Sequence, residues 1–313
     1  MPKLYIALAT YNGEKYLPWM LDSLLLQTRP ADKVFAVDDG STDGTVAILE
    51  SYKNRLPLDI HPQKENRGHR AAFNLALELV QKEAAPEDFI ALADKDDVWL
   101  PEKLKILSEK IGNADLVFGD AEVIGKDGEK IAGSWRALAN ISTQNTILEQ
   151  VAGTNNVTGC TSLFRASLLS KALPIPEGIS VHDRWIAMLA QKNKRDKAIS
   201  DKVIQYRIHD CNAVGLGNKL SFSNSLKEQG LWLAAILKNT ERLSLSDAEI
   251  QFCKEFAALI ERRQTQGISF SRLPWIFKNR NILFPNTHGK ALIQKILFTA
   301  VGTPVATRFF GKQ

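Results

Sequence analysis

Residues 33–50 read KVFAVDDGSTDGTVAILE. The first five, with Val34, Phe35 and Val37, form the short apolar run of a strand. The run stops at Asp38-Asp39-Gly40, and Val46, Ile48 and Leu49 then begin a helix. The same residues come close to a calcium-binding loop: Asp39 and Asp43 stand at positions 1 and 5, Gly44 at 6 and Glu50 at 12, with Ser41 at position 3 as a departure. That loop needs a helix in front of it. Here a strand precedes it, so the segment is strand, turn, helix, with a carboxylate delivered at the strand end.

The same unit recurs on both sides. Residues 4–9 are an apolar run ending in Thr10-Tyr11-Asn12-Gly13. Leu17, Met20, Leu21, Leu24 and Leu25 then make one apolar stripe at helical spacing, with Pro18 tolerable in a first turn. A third strand is expected at 58–61, a helix at 70–80, a strand at 89–93 ending on Asp94, a helix opened by Pro101, and a strand at 116–118. Strands alternating with helices predict an α/β fold, its parallel-rich sheet covered on both faces. Ligands bind such sheets outside the carboxyl ends of the strands. Thr10 to Gly13, Asp38 to Gly40 and Asp94 to Asp97 all fall there. After Asp120 the pattern changes. A hairpin is expected over 123–131 around Asp127-Gly128, a strand over 158–164 and a helix over 182–190. Beyond Gly217 the chain reads as helical and basic.

The 313 residues are 44% hydrophobic and 24% charged, the composition of a globular protein. Cys160, Cys211 and Cys253 are isolated, which fits a reducing compartment and neither a disulfide framework nor a metal finger. The opening MPKLYIALATYNGE reads as a first strand and not as a secretory signal. No run of about 18 apolar residues is present; the nearest, 296–305, is broken by Gly302 and Pro304. Charge is uneven. Residues 1–215 hold 26 Lys/Arg and 29 Asp/Glu, a net of −3, whereas 216–313 hold 14 and 6, a net of +8. After Glu261 there are nine basic residues and no acidic one.

Asp94-Lys95-Asp96-Asp97-Val98-Trp99 places three carboxylates within four residues. Like charges so close raise one another's pKa. A hard cation such as Mg²⁺ or Mn²⁺, bridging carboxylates to substrate phosphates, removes that cost; a solvated acidic turn is the plainer reading. His182-Asp183-Arg184-Trp185 is either a helix start capped by Asp183 or the seat of a general base. In Tyr206-Arg207-Ile208-His209 the histidine is either a structural hydrogen-bonding residue or a metal ligand.

Together these segments resemble family 2 glycosyltransferases of the GT-A fold, nearest the rhamnosyltransferase-like bacterial members. The resemblance is carried by residues 9–17 (ATYNGEKYL), Gln27-Thr28, 37–45 (VDDGSTDGT), Glu65-Asn66-Arg67-Gly68 with Asn74, Asp94 to Trp99, His182 to Trp185, and Tyr206 to His209 with Asn212. Order and spacing match over about 215 residues. It implies a Rossmann-like, mixed but mostly parallel sheet flanked by helices over residues 1–215, with a nucleotide-binding half (1–120) and an acceptor and base half (121–215), followed by a basic helical region at 216–313. It implies that Thr10, Tyr11, Asn12 and Glu14 line the nucleotide pocket and that Asp39 bonds the base. Asp94 and Asp96 would hold the metal, with Asp96 as direct ligand and His209 completing the shell. Arg70 would reach the diphosphate, and Lys95 and Asp97 would adjoin the donor. Asp183 falls where the family places its catalytic base, with Trp99, Arg184 and Trp185 near the acceptor. Relatives often carry Gln where this chain has Lys95, a charge that partly offsets its acidic neighbours.

The implied reaction is inverting transfer from a dTDP- or UDP-linked sugar to a glycan or lipid-linked acceptor, in the cytoplasm or on the inner face of the cytoplasmic membrane. Residues 262–313 mix Lys and Arg with Trp275, Phe277, Phe284, Phe298, Phe309 and Phe310, a composition suited to an anionic bilayer surface; packing against the catalytic domain is the other reading. No nucleic-acid motif accompanies the charge, so nucleic acid is not an expected partner. A sugar-1-phosphate nucleotidyltransferase would show a glycine-rich phosphate loop after the first strand, where Thr10-Tyr11-Asn12-Gly13-Glu14 stands instead. A non-catalytic carbohydrate-binding module would need neither a metal cluster nor a separate Asp183.

Overall fold

β1 (Leu4–Thr10) is buried along its whole length. It runs between β2 (Lys33–Asp38) and β4 (Phe89–Asp94), parallel to both. A parallel strand covered on two faces has no solvent side, so its sequence does not alternate. β3 (Leu58–Pro62) adds parallel to β2. The intervening helices are α1 (Leu17–Leu25), α2 (Thr45–Tyr52) and α3 (His69–Glu83). In α1 the buried face is Leu17, Met20, Leu21 and Leu24, joined by Ser23. Thr10 pairs in register with Asp38, and Ala9 with Asp94. Three chemistry-bearing strand ends are therefore level at the carboxyl end of the parallel strands. The computed structural model from which this follows describes residues 1–209, 222–265 and 270–301.

Past β4 the sheet becomes mixed. β8 (Ser162–Arg165) runs antiparallel to β4 and to β6 (Leu116–Ile124), and β9 (Asp196–Arg207) runs parallel to β6. The two-residue β5 (Val98–Trp99) pairs with β9, and β7 (Lys130–Ala132) forms the expected hairpin with β6. The strand order is β3-β2-β1-β4-β8-β6-β9-β5, with β7 beside β6. The strand expected over 158–164 starts only at Ser162, after a three-residue 3₁₀ turn at Gly159–Thr161. The Gly159 amide goes to a side chain, Asp183, and not to a neighbouring strand. Pro101 lies in a turn, and α4 (Lys103–Lys110) starts two residues later.

The chain divides into two compact units. The first comprises Met1–Gln144, Asn156–Ile175 and Val181–Leu216; the second comprises Asn145–Asn155, Pro176–Ser180 and Gly217–Gln313. The first also holds α5 (Trp135–Leu138), α7 (Leu169–Ala172) and α8 (His182–Lys192), and the second α6 (Ile147–Ala152). The other helices of the second unit are α9 (Phe222–Lys238), α10 (Asp247–Thr265), α11 (Leu273–Lys278), α12 (Arg280–Leu283) and α13 (Gly289–Thr299). Trp232 Nε1 donates to Val151 O at 3.1 Å and Gln229 Nε2 to Ala152 O at 3.1 Å, tying α9 to α6. Phe252, Phe256 and Trp275 stack together between α10 and α11. No described helix is long and apolar enough to cross a membrane. Cys211, Asn212, the expected boundary at 215/216, Gly302, Pro304, Phe309 and Phe310 lie outside the described residues.

Candidate active site

The loops after β1 and β2 are stitched together. Thr10 Oγ1 donates to Asp38 Oδ1 at 2.9 Å, and the Ser41 amide and hydroxyl also donate to Asp38. Asn12 N donates to Ser41 Oγ at 2.9 Å, and Asn12 Oδ1 accepts from Thr42 N. Glu14 N donates to Asp43 Oδ2, and Gly44 N returns a bond to Glu14 Oε2. Tyr11 stays 41% exposed at the tip, open to a ligand. Asp39 is buried and accepts from the amides of Arg67 (2.9 Å) and Gly68 (2.8 Å) at the entrance to α3. Asp43 instead accepts from Thr45 N at 3.0 Å, at the start of α2. The two acids are thus committed to different backbone amides, and nothing here gathers them as a calcium loop would. Arg70, in the first turn of α3, donates to Ile175 O at 3.3 Å.

The acidic segment between β4 and β5 folds onto the end of β9. His209 Nε2 lies 2.9 Å from Asp96 Oδ2, across 113 residues of sequence, and Lys95 Nζ donates to the same oxygen at 3.2 Å. Burial pushes the Asp96 carboxyl up, but the bond to His209 and the charge of Lys95 outweigh it and hold the group below its ordinary value. Asp94 is raised, first by burial and then by the charges of Asp96 and Asp183. Asp97 is buried and raised for the same first reason, then by Asp96 and Asp94; its Oδ1 accepts from Arg207 N at 3.1 Å. Ligand atoms of Asp94, Asp97 and Cys160 lie within 4.8 Å of one another. Asp94 thus groups with Asp97 and Cys160 and Asp96 with His209, while the charge of Asp96 also acts on Asp94.

Two participants carried no assigned role in the sequence reading. Arg207 is buried; its Nε donates to Asp96 O at 2.9 Å and its Nη1 to Gly125 O at 3.0 Å. Lys103 is fully buried, donates to Cys160 O at 2.6 Å and lies 3.1 Å from the centre of the Trp99 ring. Burial pulls its amine down to about 7. The available signal was a lysine four residues before Leu107, on the buried stripe of α4.

Asp183 is the second residue of α8 and is not its cap; Val181 holds the cap position without a side-chain bond. Asp183 Oδ2 accepts from Gly159 N at 2.7 Å. Its charge acts on Asp94, the third cause of that group's rise. Burial pulls the neighbouring Arg184 down to about 9, opposed by Asp183. Two expected acceptor contacts are corrected. Trp185 is completely buried and donates its Nε1 to Ala172 O at 2.9 Å, so it is a core residue anchoring α8. Trp99 is 2% exposed and lies under Lys103. An apolar ring so enclosed cannot meet an incoming acceptor.

Residues 5–173 match the model of the family described as Glycosyl transferase family 2. An uncharacterized glycosyltransferase of Nostoc sp. is 29% identical over 241 residues, 72% of this chain and 70% of that protein. The dTDP-rhamnosyl transferase RfbG of Shigella flexneri is 27% identical over 238 residues, 72% of this chain and 78% of its own length. The crystal structure of Staphylococcus aureus TarS 1–349 in complex with UDP-GlcNAc superposes on 95% of this chain and 81% of that one with a TM-score of 0.58, at 22% identity. That likeness shows the GT-A architecture. Since the family model spans more than half of it, the chain belongs to glycosyl transferase family 2 and is a glycosyltransferase.

Proposed function

We propose that this glycosyltransferase moves a sugar from a dTDP- or UDP-linked donor to a hydroxyl of a glycan or lipid-linked acceptor during synthesis of a bacterial cell-surface polysaccharide. The observation that carries the reading is the group of Asp94, Asp96 and Asp97 at the end of β4, with Asp183 near enough for its charge to act on Asp94. RfbG is named for dTDP-rhamnose and the TarS crystal for UDP-GlcNAc, which supports this donor class and leaves rhamnose as one member of it. Tyr11, exposed beside Thr10 and Asn12, would meet the base, and Asp39 would stand behind it. Glu14, Lys95 and Arg70 would border the donor, and Asp97 would support the site from below.

A divalent cation, Mg²⁺ or Mn²⁺, fits the residues present. Asp94 is raised first by burial and then by the charges of Asp96 and Asp183, and a bound cation relieves the second of these. Asp94 and Asp96 would hold it, and His209 would join once its Nε2 no longer faces Asp96. When bound, such an ion neutralises charge on the departing diphosphate. The chain's own part is proton transfer. The acceptor oxygen bonds to the anomeric carbon, the bond from that carbon to the diphosphate oxygen breaks with its electron pair, and the acceptor proton passes to Asp183. One displacement with one base inverts the anomeric configuration. The enzyme would work in the cytoplasm, on the inner face of the cytoplasmic membrane, through the basic residues of 262–313.

The test is a thermal-shift screen of UDP-, dTDP- and GDP-linked sugars with Mn²⁺ or EDTA, since ligands of the folded state raise its apparent stability. Nucleoside-diphosphate release is then measured for wild type and Asp183→Asn. The variant should retain donor binding and lose transfer. Wild-type transfer by Asp183→Asn sinks the assignment of the base, and no shift with any nucleotide sugar sinks the donor class.

A further inference from the structure

Lys103 opens α4 with its side chain wholly inside the protein, and no step of the transfer uses it. A lysine is buried only where its charge is matched. Its Nζ donates to the Cys160 carbonyl at 2.6 Å and lies over the Trp99 ring, and Asp97 and Asp94 act on it through their charges. Cys160 is the middle residue of the turn Gly159–Thr161. The preceding residue of that turn gives its amide to Asp183 Oδ2 at 2.7 Å. The turn and the aspartate approach closely: a Cβ on Gly159 would stand 3.0 Å from Asp183 Cβ and 3.2 Å from Oδ2. A shift of the turn therefore acts on the Asp183 carboxylate through the Gly159 hydrogen bond.

We propose that Lys103 is a positioning residue for Asp183: it pins the Cys160 carbonyl, fixes the Gly159 amide through that turn, and so sets where the carboxylate stands. This rests on Asp183 being the base. Misplacing a reacting group by about 1 Å can cost on the order of a hundredfold in rate.

Lys103→Met keeps the stem and removes the ammonium. With the nucleotide sugar that gives the largest thermal shift, kcat should fall by roughly 30- to 100-fold while the affinity for UDP with Mn²⁺ changes by less than about threefold. A crystal structure of the variant should show the Gly159–Asp183 hydrogen bond broken. Gly159→Ala, which crowds the carboxylate directly, should reproduce the kcat loss with UDP binding preserved. Residues acting through one group do not multiply their losses, so adding Lys103→Met to Asp183→Asn should cost less than about twofold more. An intact Gly159–Asp183 bond in folded Lys103→Met, an unchanged kcat, or losses that multiply with Asp183→Asn each overturn the proposal. If Lys103→Met does not fold, Lys103→Gln, which keeps a polar group in place of the ammonium, decides alone and with Asp183→Asn by the same criteria. If Asp183→Asn transfers sugar at the wild-type rate, the base assignment falls first, and the variant structure still decides whether Lys103 holds the turn.

Discussion

His182 precedes the candidate base and is held in its uncharged form. Its ring stacks on Phe73 with centroids 3.7 Å apart, and the His69 ring meets it edge-on at 5.9 Å. Burial, then the nearby charge of His69, pulls it from an ordinary 6.5 down to about 3. The unfolded chain therefore takes up a proton below about pH 6.5 that the folded chain refuses until about pH 3. This contribution to stability is whole above the upper value and is lost as pH falls through the window. Each pH unit of the gap is worth at most about 1.4 kcal/mol. Replacing His182 with Phe keeps a ring against Phe73 and removes the titration. Between about pH 7 and pH 4 the variant should lose roughly 2–3 kcal/mol less stability than wild type in urea melts; parallel acid limbs would refute this. The candidates that the sequence singled out, Asp94, Asp96, Asp183 and His209, are polar groups at or near element ends, where they stand out from the apolar runs. The roles of Lys103 and Arg207 are hydrogen bonds to distant carbonyls, of Cys160 and of Asp96 and Gly125, which local spacing does not show; for Lys103 it shows only a place on the buried stripe of α4.

Among the elements, β9 carries Arg207 and leads to His209, and its hold on β6 depends on Gly119. The pairing shifts register between Phe118 and Asp120. A Cβ on Gly119 would lie 2.8 Å from the Asp201 carbonyl oxygen and 2.8 Å from Val203 Cγ2. The first is backbone, so the strands themselves must part. Gly119→Ala should destabilise the protein by about 1–3 kcal/mol, the range for overpacking a tight core. Because β9 delivers His209 to Asp96, the same variant should bind UDP with Mn²⁺ more weakly. Urea melts and calorimetric titration check both, and wild-type values in each would show that the strands yield freely. Legibility differs between the strands for a related reason. The four from β1 to β4 are mostly apolar runs because three of them lie deep in a parallel sheet. β9 alternates irregularly, with exposed Lys197, Ser200 and Lys202 among its buried positions, and β5 spans only two residues. Neither offers a period long enough to read.

At the scale of the whole molecule, charge separates what local pattern does not. The packing of Asn145–Asn155 with the second unit is invisible in sequence, because it depends on Trp232 and Gln229, about 80 residues on, reaching the carbonyls that end α6. The charge gradient, in contrast, is read directly: no acid follows Glu261. Within the second unit, Ile293 and Leu297 stand one turn apart on α13 and are exposed, while Ile296 and Thr299 are buried. Lys290 and Lys295 are exposed on the same helix, and Phe270 and Phe277 are exposed upstream. A helix that shows apolar side chains to solvent among lysines, with no carboxylate to repel lipid phosphate, suits an anionic bilayer. Each lysine or arginine near such a surface adds about 1 kcal/mol, screened by salt. The protein should therefore float with phosphatidylglycerol vesicles at low salt, stay behind with phosphatidylcholine alone, and release as salt rises. Ile293→Glu with Leu297→Glu should weaken flotation by about tenfold, through lost apolar burial and added repulsion. Equal flotation with neutral and anionic vesicles, or none with either, would leave the basic residues to a role in packing.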